Sequence, residues 1–300
     1  MLNKIIYTIL GFGLAFVFFP HISKDITRYP VVSGVAISKD SGIQKLATPE
    51  LALALTSPAL SAKSALAFDA DSGSILYSKN LDQELPIASL TKMMTALVVM
   101  KQTDLNSIVT IEKNDQDVVG ISIGLISGEQ LTVRDLLKAM LIPSSNDAAL
   151  ALAHFISGSP DQFAVLMNDQ AKQLSLTATY FSNPVGWDTD ENHSSALDLM
   201  KITQEFLNHK ELTEIVKTKQ ATIISIDGKH THDLLTTNKL LLNDSEVMGI
   251  KTGFTSKALG NLVIMAEHNN RRIVTIVLGS ESREVDSQKL LDWVLEAYRW

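Results

Sequence analysis

Two pairs of apolar segments, one early and one late in the chain, predict β-hairpins. From Lys63 onward, "SALAFDADSGSILYSKN" reads as two apolar strands joined across Asp71-Ser72-Gly73. After about residue 247, "GNLVIMAEH" and "RRIVTIVLGS" flank a turn at Asn269-Asn270. We expect the early strands to pair with the late ones in a single antiparallel sheet.

The segments between these hairpins carry helical signals. We predict a long helix from about Ser89 to Met100 and another after Thr132, which forms a capping-box arrangement with Asp135. "NDAALALAHFI" stops at a glycine, "SPDQFAVLMNDQAKQL" opens with an N-cap serine, and "SSALDLMKITQEFL" continues the helical pattern. "VDSQKLLDWVLEAYRW" closes the chain as an amphipathic helix. The predicted fold class is therefore α+β, an antiparallel sheet flanked by helices, with a site in the cleft between the sheet and a helical lobe.

The first residues predict an export signal or a membrane anchor. Lys4 precedes an apolar run from Ile5, and no charge follows before Lys24. The 19 uncharged residues from Ile5 to Ser23 would span about 28 Å as a helix, close to the thickness of a bilayer core. No small-x-small cleavage site follows directly, which favours retention as an anchor over removal. The alternative is a buried helix of a soluble domain.

We therefore predict that the chain divides into three segments: residues 1–23 as signal or anchor, 24–62 as a linker rich in Ser, Pro, Thr and Ala, and 63–300 as one catalytic domain. Everything after the anchor is expected outside the cytoplasm, on the periplasmic or cell-wall side.

Composition excludes several function classes. The 300-residue chain is 45% hydrophobic and 20% charged, enough to bury a full core. Its 26 basic and 33 acidic residues give a net charge of −7 without a basic run, so we expect no nucleic-acid partner. The absence of cysteine rules out disulfides, thiolate catalysis and most structural zinc sites.

The segment "IASLTKMMTAL" places a serine and a lysine one helical turn apart. Ser89 and Lys92 would share a face, so that the lysine amine could act as the base that a serine nucleophile needs. Such a lysine must be neutral, which burial and a nearby cation would favour. Backbone N–H groups at the helix start could also stabilise an oxyanion. The alternative is a plain helix N-cap.

Two further motifs follow in the chain. In "IPSSNDAAL", Ser144 could relay protons and Asn146 could orient a substrate amide, although either could simply cap a helix. In "GIKTGFTSKALGNLV", Lys251 and Thr252 could face a substrate carboxylate, and Gly253 would let the substrate approach the strand backbone. The alternative there is a turn with a solvated lysine.

The order Ser-x-x-Lys, Ser-x-Asn, Lys-Thr-Gly is the motif set of penicillin-binding proteins and related β-lactamases. The chain resembles the low-molecular-weight penicillin-binding proteins, the serine-type D-alanyl-D-alanine carboxypeptidases of peptidase family S11. The resemblance covers about residues 61–300 and includes "FSNPVGWD", "HSSALDL", "TNKLL" and "SREVDSQKLLDW". It implies the β-lactamase/penicillin-binding-protein-like transpeptidase fold.

The resemblance also implies a reaction and its residues. Ser89 would be acylated by the penultimate D-alanine of a peptidoglycan stem peptide, with Lys92 as base and Ser144 as proton relay to the leaving amine. The resemblance also implies the substrate-binding roles. Asn146 would hold the substrate amide, and Lys251 and Thr252 with Arg283 would bind the terminal carboxylate. The backbone N–H groups of Ser89 and Phe254 would form the oxyanion hole. Gly253 completes the third motif. β-Lactam antibiotics would act as acylating inhibitors, and no cofactor or metal is expected.

Several alternatives stay open. Phe254 stands where some carboxypeptidases have histidine, which puts acyl-enzyme turnover in question, and related chains include endopeptidases that cut crosslinks. A β-lactamase would need an acidic residue where this chain has Ser145, and a Glu-x-x-x-Asn loop that "NPVGWDTDENHSS" does not provide. A non-catalytic penicillin-binding sensor is a third alternative. "KHTHD" also offers His230, His232 and Asp233 as zinc ligands, although this pattern more often marks an exposed strand edge.

Overall fold

The computed structural model describes residues 48–116, 118–188 and 191–300. Within them the strands are β1 (Glu50–Leu51), β2 (Ser64–Asp69), β3 (Ile75–Lys79), β4 (Ile108–Thr110), β5 (Gln130–Thr132), β6 (Gln220–Ile224), β7 (Thr231–Leu235), β8 (Val247–Thr255), β9 (Leu259–His268), β10 (Arg271–Ser280) and β11 (Tyr298–Arg299). The α-helices are α1 (Thr91–Gln102), α2 (Val133–Leu141), α3 (Asn146–Ser157), α4 (Pro160–Gln173), α5 (Ala196–Leu207), α6 (Lys210–Lys217), α7 (Lys239–Asn243) and α8 (Arg283–Ala297).

Five of the strands form one antiparallel sheet in the order β3-β2-β10-β9-β8. β2 pairs with β10, with Ala67 opposite Thr275, so the early hairpin joins the late one as the sequence predicts. The β9–β10 turn lies at Asn269 and Asn270, both with positive φ, as the tight turn of a twisted hairpin requires. This order leaves β8, the strand that carries the Lys-Thr-Gly motif, at one edge of the sheet.

Both faces of the central strands are buried, which explains their continuous apolar runs. On one face, Leu66 and Phe68 of β2 pack into the main core together with the helical lobe. On the other face, Ala65 and Ala67 pack into a second core against α8. Alternate side chains of a strand point to opposite faces, so every residue of β2 is buried.

The helical lobe is built around α1. Residues 91–99 of this helix are all buried, and the helix contacts α2, α3, α4 and α5. A helix that is buried on every side needs no polar face, in agreement with the apolar sequence "MMTALVV". The start of α1 is thereby held at the boundary between the lobe and the sheet.

Most predicted helix ends are confirmed. Thr132 caps α2 by accepting a hydrogen bond from the Asp135 amide, and Ser159 caps α4 in the same way through Gln162. α3 ends at Gly158, whose φ of 78° suits glycine at a helix C-terminus.

Three details differ from the sequence prediction. Ser89 lies in a 3-10 turn, Ala88–Leu90, and α1 begins only at Thr91. The region between the two predicted hairpins is not purely helical, because two short antiparallel strand pairs, β4–β5 and β6–β7, interrupt the helices. Strands this short carry little periodicity to read. The last helix starts earlier than expected and gives way to β11.

Residues 48–62 fall in the predicted linker, and they contact the last helix and strand. β1 pairs with β11, and the indole of Trp293 donates a hydrogen bond to the Thr56 carbonyl. Further along, the Asp286 carboxylate accepts hydrogen bonds from the backbone N–H groups of Ser61 and Ala62.

The predicted anchor, residues 1–23, lies outside the described residues. In the part of the chain that the structure does describe, no helix has the length and apolar character needed to cross a membrane.

Candidate active site

Ser89 lies in the 3-10 turn between the sheet and the lobe, and two glycines let other chain segments approach this turn. A Cβ atom on Gly253 of β8 would lie 2.8 Å from the Ile87 carbonyl oxygen and 3.1 Å from the Ser89 nitrogen. A Cβ atom on Gly186 would overlap the carbonyl oxygen of Ala88. Glycine at both positions therefore allows the backbone to reach the serine closely.

Lys92 lies beneath Ser89 and is completely buried. Its Nζ atom lies 3.0 Å from Ser89 Oγ, 2.7 Å from Asn146 Oδ1 and 2.8 Å from the Val185 carbonyl oxygen. Burial lowers the pKa of Lys92 to about 7, although the Asp147 carboxylate acts in the opposite sense and raises it. A lysine with this pKa is partly neutral at physiological pH, as a general base must be.

The three partners of Lys92 also orient its lone pair. Asn146 Oδ1 and the Val185 carbonyl can only accept hydrogen bonds, so they take the two N–H groups of a neutral amine. The lone pair is then left for the third partner, the Ser89 hydroxyl, which can donate. The arrangement suits proton transfer from Ser89 Oγ to Lys92 Nζ.

A second buried pair lies on the other side of the cleft. Lys251 Nζ lies 2.7 Å from Ser144 Oγ, and Ser144 takes a positive φ of 70° just before α3. Burial, the nearby charge of Lys92 and that of Arg283 hold the pKa of Lys251 well below its ordinary value. Two buried lysine ammonium groups close to each other disfavour each other, so protonation of one opposes protonation of the other.

Thr252 and Gly253 of the Lys-Thr-Gly motif, together with Arg283, lie on the same side of the cleft as Lys251. Thr252 Oγ1 lies 2.6 Å from Thr237 Oγ1, and Arg283 Nη1 donates to the Gly253 carbonyl at 2.9 Å. Phe254 follows on β8 with 67% of its surface exposed. Hydroxyl and guanidinium groups beside one strand can bind a carboxylate.

These residues surround one cleft with a cavity of about 340 Å³. Seven of the nine predicted site residues line it: Ser89, Ser144, Asn146, Thr252, Gly253, Phe254 and Arg283. The other two, Lys92 and Lys251, are buried and hydrogen-bonded to the serines that line it. Motifs far apart in sequence therefore meet in one place.

Sequence reasoning missed several groups of the cleft. Val119, Gly120 and Ile121 form one wall, and Trp187 donates from its indole nitrogen to the Val119 carbonyl at 3.1 Å. Val185 bonds to Lys92 through its backbone carbonyl. Every residue type has such a carbonyl, so the sequence gives no sign of this contact. The segment "NPVGWD" is the one sequence feature that could have indicated these contacts, because a glycine between apolar residues often marks a place where two backbone segments approach closely.

The histidines of "KHTHD" have other partners. His232 lies on β7 and is buried, contrary to the exposed edge that the pattern suggested. Its Nε2 lies 2.8 Å from Glu129 Oε1 and its Nδ1 lies 3.2 Å from the Ile123 carbonyl oxygen. The Asp233 carboxylate accepts a hydrogen bond from the Thr222 hydroxyl instead. Among the described residues, no group of three or more His, Asp or Glu side chains is placed to hold a metal ion.

Comparison with known proteins agrees with this geometry. Residues 52–282 match the sequence model of the D-alanyl-D-alanine carboxypeptidase family, Peptidase S11. The chain is 35% identical over 245 residues to the D-alanyl-D-alanine carboxypeptidase DacF of Bacillus subtilis, covering 79% of this chain and 63% of that protein. It is 36% identical over 255 residues to DacA of Escherichia coli, covering 79% of this chain and 61% of that protein. The match thus spans less than two thirds of the length of these relatives.

Solved structures extend the similarity to the fold. The chain superimposes on the crystal structure of a Streptomyces DD-transpeptidase with a TM-score of 0.77 and 32% identity, covering 81% of this chain and 100% of that one. A penicillin-binding protein homologue from Mycobacterium tuberculosis gives a TM-score of 0.76 at 29% identity, covering 82% and 96%. The predicted penicillin-binding-protein-like fold is confirmed.

Proposed function

The chain belongs to the D-alanyl-D-alanine carboxypeptidase family, and we propose that it is a serine peptidase that removes the terminal D-alanine of peptidoglycan stem peptides. The observation that carries this proposal is the contact between the buried Lys92 amine and the Ser89 hydroxyl. A serine hydroxyl is a weak nucleophile on its own, and an adjacent neutral amine supplies the base that it lacks.

Acylation begins when Ser89 Oγ attacks the carbonyl carbon of the penultimate D-alanine and Lys92 Nζ takes the hydroxyl proton. The carbonyl oxygen becomes negative and faces the backbone N–H groups of Ser89 and Phe254, as in other acyl-transfer sites. The bond from that carbon to the leaving nitrogen then breaks. A proton reaches the leaving amine through Ser144, and terminal D-alanine departs.

Deacylation uses water. A water molecule attacks the Ser89 ester, the carbon–oxygen bond to Ser89 breaks, and the shortened peptide leaves as a carboxylic acid while the serine recovers its proton. Phe254, largely exposed beside the cleft, cannot take part in proton transfer as a histidine at this position could. We therefore expect a slow second step and a long-lived acyl-enzyme.

Recognition of the substrate depends on its terminal carboxylate. Thr252 and Arg283 line the cleft and Lys251 lies directly behind Ser144, so one side of the cavity is rich in donors and positive charge. A carboxylate there would receive charge-assisted hydrogen bonds. Because β-lactams carry both a reactive carbonyl and a carboxylate, we expect benzylpenicillin to acylate the same serine.

We further propose that the domain works on the outer side of the membrane. The support is the apolar run that follows Lys4, which would anchor the chain through residues 1–23. Residues from 24 to the packed segment at 48 would form the tether. Cell fractionation tests this: the full chain should sediment with membranes, and a variant that lacks residues 1–23 should not be found there.

The activity is tested with a stem pentapeptide and a crosslinked muropeptide, following D-alanine release and product masses. We expect release of one D-alanine from the pentapeptide, and a covalent benzylpenicillin adduct by intact-protein mass. Both should disappear in Ser89→Ala. Faster cleavage of the crosslinked substrate would assign the chain as an endopeptidase instead, and release from neither substrate would refute the peptidase proposal.

A matched control tests whether the Ser-x-Asn motif at Ser144 acts in the reaction or matches the family pattern by chance. The chain contains a second Ser-x-Asn sequence at Ser78 to Asn80; Ser78 is exposed on β3, Asn80 follows directly after the strand, and neither lines the cleft. Ser144→Ala should reduce the acylation rate, whereas Ser78→Ala should leave it unchanged.

A further inference from the structure

Asp147 follows the cleft residue Asn146 and carries a completely buried carboxylate. Its Oδ2 atom accepts hydrogen bonds from three successive backbone N–H groups, those of Ile123 at 3.2 Å, Gly124 at 3.0 Å and Leu125 at 3.2 Å. The Ser122 hydroxyl donates to the same oxygen at 2.5 Å. Its other oxygen, Oδ1, accepts from the Ser145 hydroxyl and from the Ala148 backbone N–H at 2.9 Å. A buried carboxylate is costly unless it is hydrogen-bonded, so the contacts to both oxygens stabilise its charge.

The residues that Asp147 holds belong to a segment that we call the cleft loop, residues 118–125. This loop forms one wall of the cavity through Val119, Gly120 and Ile121. The Ile121 carbonyl accepts from the Asn146 backbone N–H at 2.7 Å, and the Val119 carbonyl accepts from Asn146 Nδ2 at 2.6 Å. The loop thus fixes both the backbone and the side chain of Asn146.

Polar contacts have to hold this part of the loop, because its side chains bury little surface. Val119 is 78% exposed and Ile121 is 47% exposed. Beyond Asp147, the far end of the loop is tied at Leu125, whose carbonyl accepts from Gln116, at the Ile123 carbonyl beside His232, and at the Ile123 N–H, which also donates to Ser145 Oγ. At the cavity wall, the Val119 carbonyl accepts from the Trp187 indole nitrogen as well as from Asn146 Nδ2.

The contacts run without a break from Asp147 to the reacting atoms. The carboxylate holds the loop, the loop holds Asn146, and Asn146 Oδ1 lies 2.7 Å from Lys92 Nζ beneath Ser89. Asp147 also acts on Lys92 through charge: its carboxylate raises the pKa of the lysine, against the effect of burial. On the opposite side of the cleft, Lys251 is close enough for its charge and that of Lys92 to oppose each other, and Arg283 adds a further positive charge beside Lys251.

We propose that Asp147 is a positioning residue for the acylation step: its carboxylate holds the cleft loop against the start of α3, and through that loop it fixes Asn146 and the Lys92 amine beneath Ser89. This inference rests on the peptidase function proposed above. It assigns a role in the reaction to a side chain that lies outside the cavity and touches no substrate.

The test compares Asp147→Asn with a matched control, Asp198→Asn. Asp198 is also a buried carboxylate near a helix start, and it accepts from the Ala178 backbone N–H at 2.7 Å and the Thr179 hydroxyl at 2.8 Å. It lies in the same helical lobe but contacts none of the cleft residues named here. Loss of stability alone should therefore affect both variants.

Three measurements are made on each variant: kcat/KM for D-alanine release, the pH dependence of benzylpenicillin acylation, and amide hydrogen exchange. For Asp147→Asn we expect kcat/KM to fall by about tenfold to a hundredfold, as for other small displacements of a reacting group. The acid limb should move to lower pH, since a neutral side chain no longer favours the charged lysine. The Ile123, Gly124 and Leu125 amides should exchange faster.

Asp198→Asn should lower the melting temperature and leave the acid limb and those three amides unchanged. Wild-type kcat/KM with an unmoved limb in Asp147→Asn would overturn the proposal, as would full protection of the three amides. If Asp147→Asn does not fold, Ser122→Ala removes one contact to the same carboxylate, and it should slow acylation and speed exchange of the Ile123 and Leu125 amides, which bond to the carboxylate; the Gly124 amide is left out because it also bonds to Ser122 Oγ.

Failure of this inference can be told apart from failure of the proposed function. A wild-type protein that neither releases D-alanine nor reacts with benzylpenicillin refutes the peptidase. In that case the exchange experiment still decides on the loop, because amides that stay protected in Asp147→Asn refute the positioning role independently.

Discussion

Lys92 Nζ lies 2.7 Å from Asn146 Oδ1, and this contact is buried beneath the serine that faces the cleft. The sequence motif suggests that Asn146 contacts the substrate, yet in this structure its oxygen contacts the lysine and its amide nitrogen contacts the Val119 carbonyl. The asparagine therefore orients the Lys92 amine, which is the proposed base. Any substrate contact has to coexist with these two hydrogen bonds or replace one of them.

The pH dependence of acylation follows from the pKa of Lys92, which burial lowers to about 7. In the proposed mechanism the neutral amine is the active form, so the rate constant for benzylpenicillin acylation should rise through pH about 7 and level off above it. Stopped-flow or quenched-mass measurements between pH 5 and pH 9 check this. If the rate constant instead rises around the ordinary lysine pKa, about 10.4, the role of Lys92 as base is contradicted.

Replacing the asparagine with a carboxylate should move this limb in a known direction. In Asn146→Asp a negative charge would contact Lys92 and favour its ammonium form, so the acid limb should shift to higher pH and the rate at pH 7 should fall. Asn168→Asp is the control, because Asn168 bridges the backbone of Phe181 through both ends of its amide, within the lobe. The control should lose stability without moving the limb.

Gly186 should tolerate no side chain. It takes φ of +90°, and an added Cβ atom would overlap the Ala88 carbonyl and lie 2.9 Å from the Ser89 nitrogen. We expect Gly186→Ala to displace the turn that carries the nucleophile and to lower the acylation rate by at least about a hundredfold. Benzylpenicillin kinetics and a melting curve measure the two effects.

Gly228→Ala is the control that measures the free-energy cost of placing alanine in a left-handed backbone conformation, without the steric overlap present at Gly186. Gly228 has a similar φ of +73°, but no atom of the described residues lies within 4 Å of the position of its Cβ atom. Its alanine variant should lose about 1–2 kcal/mol from the strained backbone and keep its full acylation rate. Equal loss of activity in both variants would show that the close approach at Gly186 is unimportant.

The sequence predicted those parts of the molecule that depend on local pattern or on motif chemistry. The hairpin strands carry long apolar runs, and Thr132 and Ser159 are strong cap residues, so their elements are confirmed. Ser89, Ser144 and Lys251 each belong to a motif whose residue types suit one chemistry, and the structure brings them to one cleft.

The groups that sequence reasoning missed act through backbone atoms or through burial. The carbonyls of Val185 and Val119 hold Lys92 and Asn146, and an amino-acid letter carries no information about which carbonyl will be a partner. Asp147 reads as an ordinary acidic residue in the first turn of a helix. Only the fold shows that its carboxylate is buried and faces three amides of another loop.

Arg283 should matter most for substrates with a free carboxylate. Its guanidinium lines the cleft and donates to the Gly253 carbonyl. Loss of a hydrogen bond to a charged group costs about 1.5–3 kcal/mol, so Arg283→Ala should reduce kcat/KM for a stem pentapeptide by about tenfold to a hundredfold. The loss should be much smaller for the same peptide with a C-terminal amide.

Arg272→Ala is the matched control for that prediction, since Arg272 pairs with Asp71 at the hairpin turn and does not line the cleft. It should leave both substrates unaffected. An equal loss on acid and amide substrates in Arg283→Ala would indicate that the arginine only supports β8.

The Asp286 carboxylate should contribute pH-dependent stability. It lies in the first turn of α8 and is 3% exposed, and it accepts hydrogen bonds from the Ala62 N–H at 2.8 Å, the Ser61 hydroxyl at 2.7 Å and the Ser280 hydroxyl at 2.7 Å. Burial raises the pKa of Asp286, but these hydrogen bonds outweigh burial and the pKa lies below its ordinary value. The stabilisation is therefore fully present above the unfolded-state pKa, about 3.9, and is lost as the pH falls through the folded-state value.

Asp286→Asn replaces one acceptor oxygen with a donor that faces other donors. We expect the free energy of unfolding to fall by about 1–3 kcal/mol at pH 7, and the difference from wild type to shrink below pH about 4 as the native carboxylate becomes protonated. Urea unfolding at pH 7 and pH 3 measures both values. Asp292→Asn, at an exposed position of the same helix where the carboxylate accepts a hydrogen bond from Gln288, should change stability little at either pH. A difference between Asp286→Asn and wild type that stays constant with pH would mean that the negative charge is unimportant and that the side chain acts through its shape.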